Sequence, residues 1–126
     1  MRLRPHTKTH KIPALGRKQV ELGAVGLTVA KPGEAEVMLA SGTPDLLVAF
    51  PTLGAKKMER LRGVAAKTRL AVSLDSEEAA RALSEGGVKA GVLVEIDAGL
   101  GRVGVDPGPA AVALAKTVAS LPGLEF

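Results

Sequence analysis

Short β-rich runs recur along this chain at intervals of roughly twenty-odd residues, each followed by a stretch of helical periodicity, and that rhythm leaves few folds open. The runs are Leu3 to Lys8, Gly26 to Ala30, Asp45 to Phe50, Arg69 to Asp75 and Ala90 to Asp97, and Leu124-Glu125-Phe126 reads as the opening of another. Between them, helices are expected from Ile12-Pro13 to about Leu22, from Pro32 until Ser41-Gly42-Thr43-Pro44, from Ala55 to about Ala66, from Glu77 to Gly86-Gly87, and from Pro109 to about Ser120. Proline suits a first helical turn, and glycine suits the residue past a helix end. Repeated βα units leave two sheet architectures, an open doubly wound sheet or a (β/α)8 barrel. The barrel is favoured because the strands pair an apolar row with a smaller or polar one. In the fifth run Val92, Val94 and Ile96 share one face, and Leu93, Glu95 and Asp97 the other. The expected fold class is therefore α/β, a parallel (β/α)8 TIM-type barrel in partial form, with about five βα units plus the start of a sixth strand.

Composition agrees with close-packed α/β layers. Of 126 residues 46% are apolar but only 2% aromatic, so the core must be built from Ala, Val and Leu. Met58, Leu61 and Ala65 mark the buried face of the third helix, and Val112, Ala115 and Val118 that of the last. The net charge of +4 is concentrated in the first eighteen residues rather than spread over a face, which argues against a nucleic-acid footprint. Without cysteine there is no disulfide or thiolate chemistry, and a reducing compartment is the expectation. No apolar run is long enough to span a membrane and charge follows Met1, so a soluble cytoplasmic protein is expected.

The chemistry is expected in Arg4-Pro5-His6-Thr7-Lys8-Thr9-His10-Lys11, which holds both histidines. If this segment is extended, Arg4, His6 and Lys8 share one face and Leu3, Pro5 and Thr7 the other. Such a cationic face can be buried only against anions or a polar ligand. In a barrel the strand C-termini line the active site, which puts Lys8, Asp75 and Asp97 around one mouth. Flanked by His6, Lys11 and a distant Arg102, the Lys8 amine would be pushed toward its neutral form, suited to attack a carbonyl by Schiff-base chemistry. The same cations suit an anionic, phosphorylated partner. His6 and His10 are four apart, a metal-ligand spacing only in a helix that Pro5 disfavours, so no metal site is assigned to them. The run Gly99-Leu100-Gly101-Arg102-Val103-Gly104 has the form of a dinucleotide fingerprint, but it follows the fifth run rather than the first and is read as a turn.

The segments RPHTKTHK at 4–11, GAVGLTVAKPGEAEVMLASG at 23–42 and VLVEIDAGLGRVGV at 92–105 resemble the barrel domain of the D-threonine aldolase and D-serine dehydratase-like family, relatives of the alanine racemase N-terminal domain in the pyridoxal-phosphate barrel class. The resemblance runs the length of the chain. It implies that residues 1–126 are a partial barrel domain lacking a C-terminal β-domain, inactive alone, from a parent that is a homodimer. It implies a pyridoxal 5'-phosphate-dependent lyase that cleaves β-hydroxy-D-amino acids to glycine and an aldehyde. It also makes Lys8 the catalytic and cofactor-holding lysine, Arg102 the arginine beside the cofactor ring, and His6 a lining residue. The divalent metal of the family would be bound outside this chain. Dehydration of a D-serine-like substrate, racemisation, and non-catalytic cofactor binding are the alternatives within the class. From another class, a nucleic-acid-binding arm would instead need Arg2, Arg4, Lys8 and Lys11 together.

Overall fold

A computed structural model describes residues 2–126. Five parallel strands form a single sheet: β1 (Leu27–Val29), β2 (Asp45–Val48), β3 (Arg69–Leu74), β4 (Ala90–Val94) and β5 (Leu124–Glu125). Between them run α2 (Pro32–Met38), extended by a 3-10 turn at Leu39–Ser41, then α3 (Ala55–Ala65), α4 (Glu77–Glu85) and α5 (Pro109–Ser120); α1 (Pro13–Glu21) precedes β1. Neighbours in the sheet are always neighbours in sequence, in the order β1-β2-β3-β4-β5. A doubly wound sheet must reverse its strand order at a switch point. This sheet does not, and it grows in one direction as a (β/α)8 barrel does.

Register explains the two rows of side chains. Leu27, Leu46 and Leu70 are aligned across β1 to β3, and Val29, Val48, Val72 and Val92 across β1 to β4. These rows are buried with Met38, Leu61, Val64, Leu83 and Val118 from the helices, which makes one continuous core on the helical side. Each fully buried Leu or Val contributes about 1.5–3 kcal/mol. The opposite row, Thr28, Leu47, Ala71 and Gly91, faces what would be the barrel lumen.

The element pattern agrees with the sequence reading, with three differences. The expected first strand, Leu3 to Lys8, forms one isolated bridge, His6 to Thr28, at the edge of β1. Pro5 has no N–H to close the next rung, so a regular ladder cannot extend backward from it. In α3 the third buried position is Val64, and Ala65 is only partly buried. In α5 Leu114 and Val118 are buried while Val112 is 54% exposed. That helix is apolar nearly all round, so periodicity could not choose its buried face. Val112, Ala111, Ala115 and Ala119 instead line an apolar groove of about 500 Å³ with Val94, Ile96 and Phe126.

At the N-terminal ends of the strands Asp45 is buried between Arg4 (2.7 Å) and Arg69 (3.9 Å), closing the lumen face from below. Gly26 lies against it: a Cβ there would meet the Asp45 carbonyl oxygen at 2.7 Å and its Cβ at 2.8 Å. Gly26→Ala is expected to force β1 away from β2 and destabilise the fold by about 1–3 kcal/mol, read from a urea unfolding midpoint.

Candidate active site

Thr28 makes most of the hydrogen bonds that hold the start of the basic segment against the sheet. The Thr28 N–H donates to the Pro5 carbonyl (2.8 Å), its carbonyl accepts from the Thr7 N–H (2.8 Å) and the Thr7 hydroxyl (3.2 Å), and its hydroxyl donates to the Arg4 carbonyl (3.1 Å). Thr7 is therefore fully buried on the helical side, and Arg4 and His6, of opposite parity, take the lumen side. Of the face expected for Arg4, His6 and Lys8, the first two are present; Lys8 is not on it, because the chain leaves the extended conformation after Thr7. Arg4 meets the anion that its burial requires, in Asp45.

Beyond Thr7 the chain turns. The His10 and Lys11 amides donate to the Thr7 carbonyl at 3.2 and 2.8 Å, which makes residues 7–11 a closed turn at the C-terminal end of the sheet. Lys8 sits in it with its side chain exposed, and its N–H donates to His6 Nδ1 at 3.2 Å. That bond fixes the tautomer: the proton of the neutral His6 ring is on Nε2. His10 Nδ1 accepts from the Ile12 N–H at 3.0 Å, and its Nε2 is buried with no hydrogen-bond partner among the described residues. Lys11 is the one non-glycine residue with positive φ (51°) among the described residues. Such a backbone costs roughly 1–2 kcal/mol and persists only where its surroundings hold it.

What holds it is Glu34 in the first turn of α2. One carboxylate oxygen accepts from the Ala30 N–H at 2.8 Å, and the other pairs with Lys11 Nζ at 3.2 Å. Burial works against ionisation of Glu34, but the Ala30 amide and the Lys11 ammonium outweigh it and keep the carboxyl below its ordinary value. Lys11 is thereby neutralised, not arrayed with Lys8 as a free cation; this differs from the expected cluster because the sequence separation of Lys11 and Glu34 hides their pairing. The signal that could have exposed it is an acidic residue in the first turn of the helix that follows the next strand, at the same end of the sheet.

Asp75 and Asp97 do not stand free at the mouth; both organise the glycine-rich loop. Asp97 accepts from the Gly99 N–H at 2.8 Å and the Gly101 N–H at 3.0 Å, and Asp75 accepts from the Gly104 N–H at 3.0 Å. A bridge from Ile96 to Val105 closes the base of the loop. Gly104 (φ 111°) cannot be replaced, since a Cβ would lie 2.4 Å from the Asp97 nitrogen. Arg102 is exposed on this loop, and no hydrogen bond or ion pair joins it to Lys8 or His6 among the described residues. Helix α4 is capped by Ser76, whose hydroxyl accepts from the Ala79 N–H at 3.3 Å. No group of three or more His, Asp or Glu able to hold a metal ion is present among the described residues.

A model of the alanine racemase N-terminal domain family matches residues 1–126, and the chain belongs to that family of barrel domains. The chain's relatives include aldolases and a dehydratase. It is 34% identical to a D-threonine aldolase of Arthrobacter sp over 98% of this chain and 34% of the relative. It is 35% identical to a D-threo-3-hydroxyaspartate dehydratase of Delftia sp. over 94% of the chain and 33% of the relative. The crystal structure of D-threonine aldolase from Filomicrobium marinum superposes with a TM-score of 0.95 at 43% identity, over 99% of this chain and 35% of that one. The chain thus spans about a third of the length of these relatives. The partial barrel is the one these proteins share.

Burial of the His6 ring and, next, the Lys8 ammonium lower its pKa, and Glu34 only partly opposes them. The fold favours the neutral ring, so protonation costs stability. Stability is expected to decline as pH falls from the ordinary histidine range of about 6.5 through the lowered value of His6. A proton NMR titration should place the His6 midpoint below that ordinary range. Replacing Asp97 with Asn is expected to speed amide exchange at Gly99 and Gly101, since the pair of acceptors becomes a single neutral one.

Proposed function

We propose that the full-length protein is a pyridoxal 5'-phosphate-dependent lyase of the D-threonine aldolase type, cleaving β-hydroxy-D-amino acids to glycine and an aldehyde. The observation that carries this reading is Lys8. It is a primary amine in a closed turn at the C-terminal end of the sheet, in a chain that follows the Filomicrobium marinum aldolase over nearly its whole length. In barrels of this kind, catalytic groups sit at that end.

The residues present fit the cofactor. Among the lumen-side positions Thr28, Ala71, Ser73 and Gly91 are small, with Leu47 and Leu93 as apolar neighbours in the same rows, a lining that suits a flat ring. In the same turn as Lys8, His10 Nε2 is buried with no hydrogen-bond partner among the described residues. When bound, the cofactor supplies an electron sink for bond cleavage at the substrate α-carbon. Lys8 Nζ would hold it covalently. His6, kept neutral with Nδ1 already occupied, would offer Nε2–H as a donor along the lumen. Arg102 would bring a permanent cation to the mouth on a loop held rigid by Asp75 and Asp97.

The divalent metal of this reading would act on the substrate hydroxyl from residues outside the described set. A C-terminal β-domain, a homodimeric assembly and a cytoplasmic location complete the proposal. The described residues contain no helix long and apolar enough to cross a membrane. The dehydratase reading stands second on the similarity to the Delftia enzyme.

Full-length protein reconstituted with pyridoxal phosphate is expected to show the visible absorption band of a lysine-bound cofactor. Lys8→Ala should abolish the band and lower activity on D-threonine at least a thousandfold, an order of magnitude that follows from losing covalent catalysis. A band that survives in Lys8→Ala removes Lys8 from this role. Glycine and acetaldehyde as products support the aldolase, while an oxo acid and ammonia support the dehydratase.

A further inference from the structure

We infer that Glu34 and Lys11 form a latch that positions the Lys8 turn for the cofactor, with Glu34 tying the turn to the end of β1. This rests on the assignment of Lys8 above. The latch spans two segments far apart in sequence. The turn carrying Lys8 ends at Lys11, in a left-handed conformation that the chain does not adopt unaided. Glu34 reaches both sides of the junction, taking the Ala30 N–H at 2.8 Å and Lys11 Nζ at 3.2 Å.

An ordinary helix cap does not account for the second contact. A carboxylate in the first turn of a helix often accepts a backbone N–H from the residues before it, and the bond from Ala30 is of that kind. Such a cap needs one oxygen. The other is spent on a lysine of the active-site turn, and the carboxylate is mostly shielded from solvent, with only 12% of its side chain exposed. Its partner is open, with 56% of the Lys11 side chain exposed, so the pair is sheltered on the carboxylate side alone and remains partly screened by salt. Glu34 also lies close enough to His6 to oppose the lowering of its pKa, so the same carboxylate acts on both ends of the turn.

Lys11 and Glu34 are positioning residues: neither needs to touch the cofactor. The full-length protein provides the test, with Lys11→Met, Lys11→Arg and Glu34→Gln titrated with pyridoxal phosphate and followed by the visible band and by melting temperature. Lys11→Met removes the latch and leaves the helix cap intact. It should raise the apparent Kd for the cofactor about three- to fivefold, as loss of one partly exposed ion pair implies, with little change in apo-protein melting. Lys11→Arg keeps the charge and should restore binding. Glu34→Gln loses the pair and weakens the cap, and should raise Kd about tenfold while lowering melting temperature.

In the apo-protein Glu34→Gln should also move the His6 titration midpoint further down, a shift that needs no bound cofactor. If Lys11→Met and Glu34→Gln bind the cofactor like the parent while only Glu34→Gln melts early, Glu34 is a helix cap alone and the latch is refuted. Failure of the Lys8 assignment is told apart from this, because there the band itself persists in Lys8→Ala.

Discussion

Thr28 spends every polar group it has on residues 4–7. Its amide, carbonyl and hydroxyl together make four hydrogen bonds to Arg4, Pro5 and Thr7. Because Pro5 breaks the regular ladder, these bonds substitute for a strand that the segment cannot form. Their effect is geometric. They fix which residues of the basic segment look into the lumen and how far along the sheet Lys8 is carried.

Charge is distributed on the lumen side by height. Asp45 sits between two arginines at the strand N-termini, where barrel residues serve stability. Glu34 takes Lys11 at the opposite end, and the two loop aspartates take backbone amides. Lys8 and Arg102 are the basic groups of the site without an ion pair among the described residues. The pairs around them, Arg4 with Asp45 and Lys11 with Glu34, leave these two cations uncommitted at the C-terminal end of the sheet.

Much of this was legible in the sequence. Alternation in runs such as Leu70, Val72 and Leu74 reports burial on one sheet face directly, because side-chain parity in a strand is fixed. The concentration of Arg, His and Lys in residues 4–11 likewise marks a segment kept out of the core, since that combination is costly there. The sequence is silent where partners are far apart. Nothing local joins Lys11 to Glu34, or Asp75 to Gly104, and both pairs follow only from the register of parallel strands. The exposed side of α5 was hidden for another reason: Ala and Val surround that helix, so no face stands out.

The glycine-rich loop closes one route of recognition and opens another. Three of its amides, at Gly99, Gly101 and Gly104, already have carboxylate acceptors within the chain. A nest so filled has no vacancy for a phosphate oxygen, and its built-in negative charge repels one. Those three amides serve the loop's own shape, and the Arg102 guanidinium is left exposed on it.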